Sequence, residues 1–277
     1  MICMTIRDEK EVILTNHSSK GNQPKWLQDG YWYKADGLGY ESLAETLCSR
    51  LLQHSSLAEM CVIYEPVKVI ANGKEMRACR SLDFKKPEQS LIPLERLIRK
   101  VHPRGLAALL AYMPDPKDRI SYTVEMVEKL TGIEDFGFYL TDMLIMDAFF
   151  LNEDRHTNNI ALAYDASKRT FEKVPYFDMG AAMFSDTRLD FPIHLTYEEC
   201  LSVIKAKPFS RDFDEQMDAA ELLYDSSFHF DFRATDIIDI AFEGMDAGQL
   251  ALYSEAELRR AEETLRMQAR KYACLFA

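Results

Sequence analysis

The chain has 277 residues, 47% hydrophobic and 28% charged, enough for a sizeable core in one large domain or one two-lobed domain. Its formal net charge of −12 weighs against a broad nucleic-acid surface or a patch for anionic lipid, but leaves room for a small basic pocket that takes phosphates. The cysteines (Cys3, Cys48, Cys61, Cys79, Cys200 and Cys274) form no CxxC pair and no zinc-ligand spacing with a histidine, so they read as thiols of a reducing compartment.

Met1 to Lys10 holds no apolar core of signal-peptide length. The most apolar run, Phe136 to Leu151, is interrupted by Asp142 and Asp147 and is shorter than the ~20 residues of a membrane span, so the expectation is a cytoplasmic protein. In chain order, Glu11 to Thr15 reads as a short strand, and His17 to Trp26, with its Ser, Gly, Asn and Pro, as a loop. Tyr31 to Ala35 is aromatic and strand-like. A small-residue polar loop before a strand that carries Lys34 suits a lid over phosphates: loop N–H groups face the oxygens and the lysine points at them from a rigid element. Glu41 to His54 is helical, with Leu43, Leu47 and Leu51 recurring one turn apart. Either Glu41 or Glu45 can pair with Lys34, unless both are solvated helix carboxylates. Glu45 is preferred because it lies inside the helix rather than at its frayed start.

Cys61 to Ile70 and Met76 to Leu82 alternate apolar and polar residues around Asn72-Gly73, a hairpin signal. After Pro87 the pattern turns helical. Leu91 to Val101 and Arg104 to Tyr112 read as short amphipathic segments, and Ser121 to Leu130 as a helix closed by Thr131-Gly132. Asp135 to Leu151 is apolar nearly all round and is expected to be buried. Further helices are expected at Tyr197 to Ala206, Phe213 to Tyr224, Ala234 to Phe242 and Ser254 to Phe276, the last opened by a Ser254/Glu257 capping box and carrying a charged, solvated face. A β-rich first third before an α-rich remainder predicts an α+β, two-lobed architecture, with one lobe over residues 1–84 and the other over 85–277.

The stretch from Asp154 to Gly180 carries the chemistry. Asp154-Arg155-His156-Thr157-Asn158-Asn159 precedes a probable hairpin, Ile160 to Tyr164 and Phe171 to Val174, and Phe177-Asp178-Met179-Gly180 follows it. Two carboxylates and one amide so placed suit metal-assisted phosphoryl transfer. One carboxylate orients or deprotonates the attacking hydroxyl, while the amide oxygen and the second carboxylate hold Mg²⁺ on the nucleotide phosphates. The bland alternative is a polar turn after a buried helix.

Four segments together resemble HipA-like serine/threonine kinases. Ser18-Ser19-Lys20-Gly21-Asn22-Gln23-Pro24-Lys25 is similar to their phosphate loop and Tyr33-Lys34 to their strand lysine. Asp154 to Asn159 resembles their catalytic loop, a DRHxxN motif shared with phosphatidylinositol 3/4-kinases, and Phe177 to Gly180 their metal-binding segment. The resemblance implies a protein-kinase-like fold with ATP and Mg²⁺ as cofactors. It implies Asp154 as catalytic base, Asn159 and Asp178 as magnesium ligands, and Lys34 on the phosphates with Glu45 as partner. It also places Lys20, Gly21, Asn22, Gln23 and Lys25 over the phosphates and a hinge at Arg80 to Leu82. His156 either supports the loop or the phosphates, or is simply structural. Ser18 falls where some members of the family autophosphorylate. The short stretch before the phosphate loop makes the chain more similar to stand-alone, CtkA-like members than to HipA toxins. The expected partners are therefore ATP and a protein with a Ser/Thr hydroxyl, with no nucleic acid, no membrane and no DNA-bound antitoxin. A nucleotide-binding pseudokinase or scaffold, or a lipid or small-molecule kinase, are the competing functions.

Overall fold

The computed structural model describes residues 2–7 and 23–277. The strand expected at Glu11 to Thr15 and the phosphate-loop positions Ser18, Lys20, Gly21 and Asn22 lie outside the described residues. The first part is a five-stranded sheet in the order β1-β4-β5-β3-β2, built from β1 (Cys3–Thr5), β2 (Lys25–Gln28), β3 (Tyr31–Ala35), β4 (Glu65–Ala71) and β5 (Lys74–Leu82). β1 runs parallel to β4, and the other neighbours are antiparallel. The β4–β5 turn is Asn72-Gly73, both with positive φ (52° and 70°), the backbone a two-residue hairpin requires. Helix α1 (Glu41–Gln53) lies between β3 and β4 in sequence and packs on β5.

The pleat sorts the side chains of this sheet. Lys34 stands opposite Cys79 and Lys25, while Tyr33 stands opposite Arg80 and Trp26. Neighbouring residues of a strand point to opposite faces, so Tyr33, Ala35, Trp26, Val67, Val69 and Ala78 close a small outer core. Lys25 and Lys34 share the inner face.

A second sheet of β6 (Gln89–Pro93), β7 (Ala161–Asp165) and β8 (Thr170–Lys173), all antiparallel, sits among the helices. The helices before β7 are α2 (Leu94–Arg99), α3 (Leu106–Leu110), α4 (Pro116–Thr131) and α5 (Phe136–Phe150); those after β8 are α6 (Tyr197–Val203), α7 (Phe213–Glu221), α8 (Ile237–Ala241), α9 (Ala247–Leu250) and α10 (Glu255–Lys271). Helix α5 is the axle of the large core: all its residues but Phe138 are buried. α1 joins that core through Tyr40, Leu43, Leu47 and Leu51. Capping explains several boundaries. Gly132 (φ 75°) ends α4, and Ser254 and Glu257 form the expected box at the start of α10.

Some expectations needed correction. Lys25 and Trp26 belong to a strand, because the loop stops where pairing with Lys34 and Tyr33 begins. Leu91 to Val101 is not one helix. Leu91 and Ile92 pair with Ala163 and Leu162, and Pro93, extended at ψ 146°, hands over to α2. The helical spacing of the leucines ran unbroken across that proline and concealed the strand. β4 begins at Glu65 rather than Cys61, which makes only an isolated bridge to Tyr176. No described helix is long and apolar enough to cross a membrane.

Candidate active site

Three segments converge on Lys34. Its ammonium donates to Glu45 Oε1 at 2.5 Å and Asp178 Oδ1 at 2.8 Å, and reaches the Tyr64 hydroxyl at 3.2 Å. Glu45, fully buried, uses its other oxygen to accept the backbone N–H of Met179 at 2.9 Å. One helix carboxylate therefore fixes both the strand lysine and the segment that carries Asp178. The choice between Glu41 and Glu45 is settled by chemistry: Glu41 accepts the backbone N–H groups of Gly37, Leu38 and Gly39 and serves its own loop.

The cross-strand pair Lys25 and Lys34 puts two like charges on one face, an arrangement that is unfavourable unless an anion lies between them. Asp178 supplies one, with Lys25 Nζ at 3.9 Å. Burial works against the charge of both partners. For Asp178, the ammonium groups of Lys25 and Lys34 more than offset it and hold the carboxyl well below the usual range. For Lys34, Asp178 and Glu45 do the same in the other direction and keep the amine protonated well above its ordinary value. Asp178 also adopts φ 68°, a left-handed conformation costly for a residue other than glycine. The Met179–Glu45 bond and the lysine contacts hold it there.

The catalytic-loop motif leaves α5 through Leu151, itself left-handed at φ 55°, which turns the chain sharply. Arg155 is 1% exposed and is the hub of this turn. It bonds Asp147 of α5 through Nε (2.8 Å) and Nη2 (3.0 Å). Its Nη1 donates to the carbonyls of Asn159 (3.1 Å) and Phe177 (3.0 Å). Asn152 adds a bond to Asp147 at 2.8 Å. A single guanidinium thus ties the buried helix, the loop of Asp154 and the segment of Asp178. Thr157 is held in turn by Glu95 of α2 at 3.0 Å.

Asp154 is buried at the loop's head. Its Oδ1 accepts from Lys207 Nζ at 3.0 Å, and its Oδ2 lies 3.9 Å from His156 Nε2. Both ring nitrogens of His156 are buried without a hydrogen-bond partner among the described residues, unusual for a group that needs one. Asn159 donates its amide N–H to the Asp154 carbonyl at 2.8 Å, which leaves its side-chain oxygen as the acceptor.

Among the described residues no three His, Cys, Asp or Glu side chains gather as a metal cage. Mg²⁺ is usually held by one or two carboxylates together with substrate phosphates and water, and Asp178 with Asn159 fits that donor set. Gln23 Nε2, just before β2, is another buried polar atom without a partner among the described residues.

The expected hinge residues sit differently from Lys34. Arg80 and Leu82 point to the outer face: Arg80 pairs with Glu65 at 2.7 Å and lies over the Tyr31 ring, and Leu82 is 62% exposed. The side chains of Arg80 and Leu82 cannot meet a ligand beside Lys34; of this segment, the backbone and the buried Ser81, which shares a face with Cys79, are turned that way. Beside Lys34, Val62, Tyr64 and Cys79 form a small apolar cluster with Phe84 and Phe177 against it.

Sequence reasoning passed over three site residues. Asp147 carried a signal, since a carboxylate in a helix apolar all round must be paired. Arg155 lay inside the motif with no role attached. Lys207, on the connection between α6 and α7, had no local signal at all.

No protein-family model and no curated protein sequence matches this chain. The fold is similar to that of a Helicobacter pylori proinflammatory kinase, CtkA, with a TM-score of 0.57 and 15% identity over 92% of this chain and 90% of that one. A chain of the Shewanella oneidensis MR-1 HipA, HipB and operator DNA complex matches at a TM-score of 0.44 and 12% identity, over 94% of this chain and 66% of that one. The architecture is thus a two-lobed, kinase-like α+β fold.

Proposed function

We propose that this chain is an ATP- and Mg²⁺-dependent phosphotransferase, a Ser/Thr protein kinase of the HipA-like kind. The observation that carries the reading is the convergence of Lys34, Glu45 and Asp178, with Arg155 joining the Asp178 segment to the loop of Asp154. Positioning and charge stabilisation are what phosphoryl transfer asks of a protein, and here buried ion pairs supply both.

In this reading Lys34 exchanges part of its contact with Asp178 for phosphate oxygens of the nucleotide, and Lys25 faces the same oxygens from the neighbouring strand. Glu45 keeps Lys34 from swinging away. Asp178 and the side-chain oxygen of Asn159 would hold Mg²⁺, which would neutralise charge on the phosphates. The apolar surface of Val62, Cys79, Phe84 and Phe177 seats the base, with the backbone after Arg80 beside it. The acceptor hydroxyl hydrogen-bonds to Asp154. Its oxygen forms the bond to the γ-phosphorus as the bond from that phosphorus to the β–γ bridging oxygen breaks. The proton passes to Asp154 and ADP leaves. Lys207 orients the Asp154 carboxylate, and His156, whose ring nitrogens have no hydrogen-bond partner among the described residues, lies beside it and would support the transferring group. Autophosphorylation of Ser18 and a cytoplasmic location remain part of the proposal.

A general base contributes about 10²- to 10⁴-fold. Asp154→Ala is therefore expected to lower transfer from radiolabelled ATP to itself and to a generic protein by at least ~10²-fold, while calorimetry still detects ATP binding. Unchanged transfer in that variant would sink the assignment. ATP binding without transfer in the parent chain would favour a scaffold instead.

A further inference from the structure

Two adjoining hollows lie beside Lys207 and His156, the neighbours of Asp154. The first, of about 220 Å³, is lined by His156, Lys207 and Arg119 against an apolar wall that includes Leu110, Ala111 and Pro208. The second, of about 410 Å³, shares Arg119 and adds Lys205, Arg211, Ser210, Asp212 and Glu215. Among the described residues no acidic side chain lines the first hollow, and the two that line the second are turned to local tasks. Asp212 accepts the Glu215 backbone N–H at 2.9 Å and so caps α7, and Glu215 accepts the Ser210 hydroxyl.

The cations have a different setting. Arg119 is anchored by carbonyl oxygens, Met113 at 2.8 Å and Phe209 at 2.6 Å, so its position is fixed while no carboxylate cancels its charge. Lys205 and Arg211 are exposed and make no ion pair with a described residue. With Lys207 paired to Asp154, Arg119, Lys205 and Arg211 outnumber Asp212 and Glu215 along the two hollows, and on a chain of net charge −12 such a local excess of positive charge favours anions there. A ligand entering here meets Lys207 and His156 next to the Asp154 carboxylate, with Lys205 and Arg211 farther along the same channel.

We propose that the two hollows form the acceptor channel, and that it takes a peptide segment whose Ser or Thr is flanked by anionic residues, carboxylate or phosphorylated. This rests on the phosphotransferase reading and adds the substrate class to it. The serine side chain enters the 220 Å³ hollow and brings its hydroxyl to Asp154, while the flanking anions lie against Arg119, Lys205 and Arg211. The shape suits an extended polymer better than a compact solute, because the second hollow continues the first away from the transfer point. Electrostatic complementarity of this kind acts on specificity and on salt dependence.

The test uses the whole chain with Mg²⁺-ATP and three serine peptides of equal length, flanked by aspartates, by phosphoserines or by lysines. The KM is expected to be at least about tenfold lower for both anionic peptides than for the basic one, a difference that corresponds to roughly 1.4 kcal/mol, and to narrow as salt is raised. In a Lys205→Glu, Arg211→Glu double variant, with an unchanged melting temperature as the check on folding, the ranking should reverse. A preference for only one anionic peptide would identify whether carboxylate or phosphate is the natural flank, and would still support the channel. Equal KM values for all three peptides, an unchanged ranking in the double variant, or transfer to phosphoinositide vesicles but to no peptide would overturn the proposal. Loss of all Asp154-dependent transfer is a separate outcome: it would overturn the phosphotransferase reading, and this one with it.

Discussion

The two sides of the site are built by different rules. On the side proposed to take the nucleotide, Lys34 and Glu45 are 7% and 0% exposed, stand on a strand and a helix, and are locked to each other and to the Asp178 segment. On the side proposed to take the acceptor, Lys207 is 35% exposed along its side chain and stands on an irregular connection, and the hollows beyond it are open. The contrast teaches what each side must do. A charge that stabilises a developing phosphoryl group acts best when held rigid and desolvated, whereas a side that admits varied polymer segments needs room and mobile, solvated charges.

The largest effect is expected where both sides depend on one group. Arg155→Met leaves Asp147 buried and uncompensated, at a cost of about 3–5 kcal/mol in urea unfolding. In an Asp147→Leu, Arg155→Met double variant much of that stability should return, because an apolar pair replaces the ionic one. Transfer should not return, because Asn159 and Phe177 lose the donor that joins their carbonyls. Full recovery of transfer in the double variant would reduce Arg155 to a structural role.

A second pair of variants separates the sides. Glu45→Gln leaves one acceptor oxygen and no charge for two donors, Lys34 and the Met179 amide, and should weaken ATP binding and lower transfer by roughly 10²-fold, the size of a misplaced catalytic group. Lys207→Met should lower transfer by about tenfold or more while calorimetry returns the parent ATP affinity. Equal losses of ATP affinity in the two variants would erase the distinction between the sides.

The smallest effect concerns the frame of the nucleotide side. Asp36, just after β3, accepts the Ser42 backbone N–H at 2.6 Å and pairs with Arg77, which also binds Glu257 of α10. Burial, and then the neighbouring Glu41, push its carboxyl up from 3.8 to about 7 in spite of Arg77. The folded chain therefore holds this proton more tightly than the unfolded one. The associated stability is complete below pH 3.8 and is lost as pH rises through about 7. Asp36→Asn keeps an acceptor for Ser42 and removes the titration, so the fall in urea midpoint between pH 5 and pH 8 should become shallower. An identical slope in parent and variant would contradict the assignment.

The cluster around Lys34 was largely legible in the sequence, whereas Lys207 and the hollows beside it were not. Lys34 and the helix of Glu45 are separated by one loop, and the period-2 and one-turn patterns place them without any long-range information. Asp154, Asn159 and Asp178 lie within one short stretch whose hairpin could be read from its apolar runs. Arg80 and Leu82 were correctly placed on the second strand of the Asn72-Gly73 hairpin, but the direction of their side chains depended on the register with β3 and β4. A shift of one residue would have turned them inward.

The sequence by itself therefore determined which groups suit the proposed phosphoryl transfer, because their spacing is local and their residue types fit that chemistry. Only the tertiary structure decided how they are held. It chose Glu45 over Glu41, since Glu41's oxygens are taken by its own loop. It made Arg155 the joint between the loop of Asp154 and the segment of Asp178, and it brought Lys207 to Asp154 from 53 residues away. Contacts of that kind depend on packing α5, α6 and α7 around one core, and no pattern confined to a few neighbouring residues can record them.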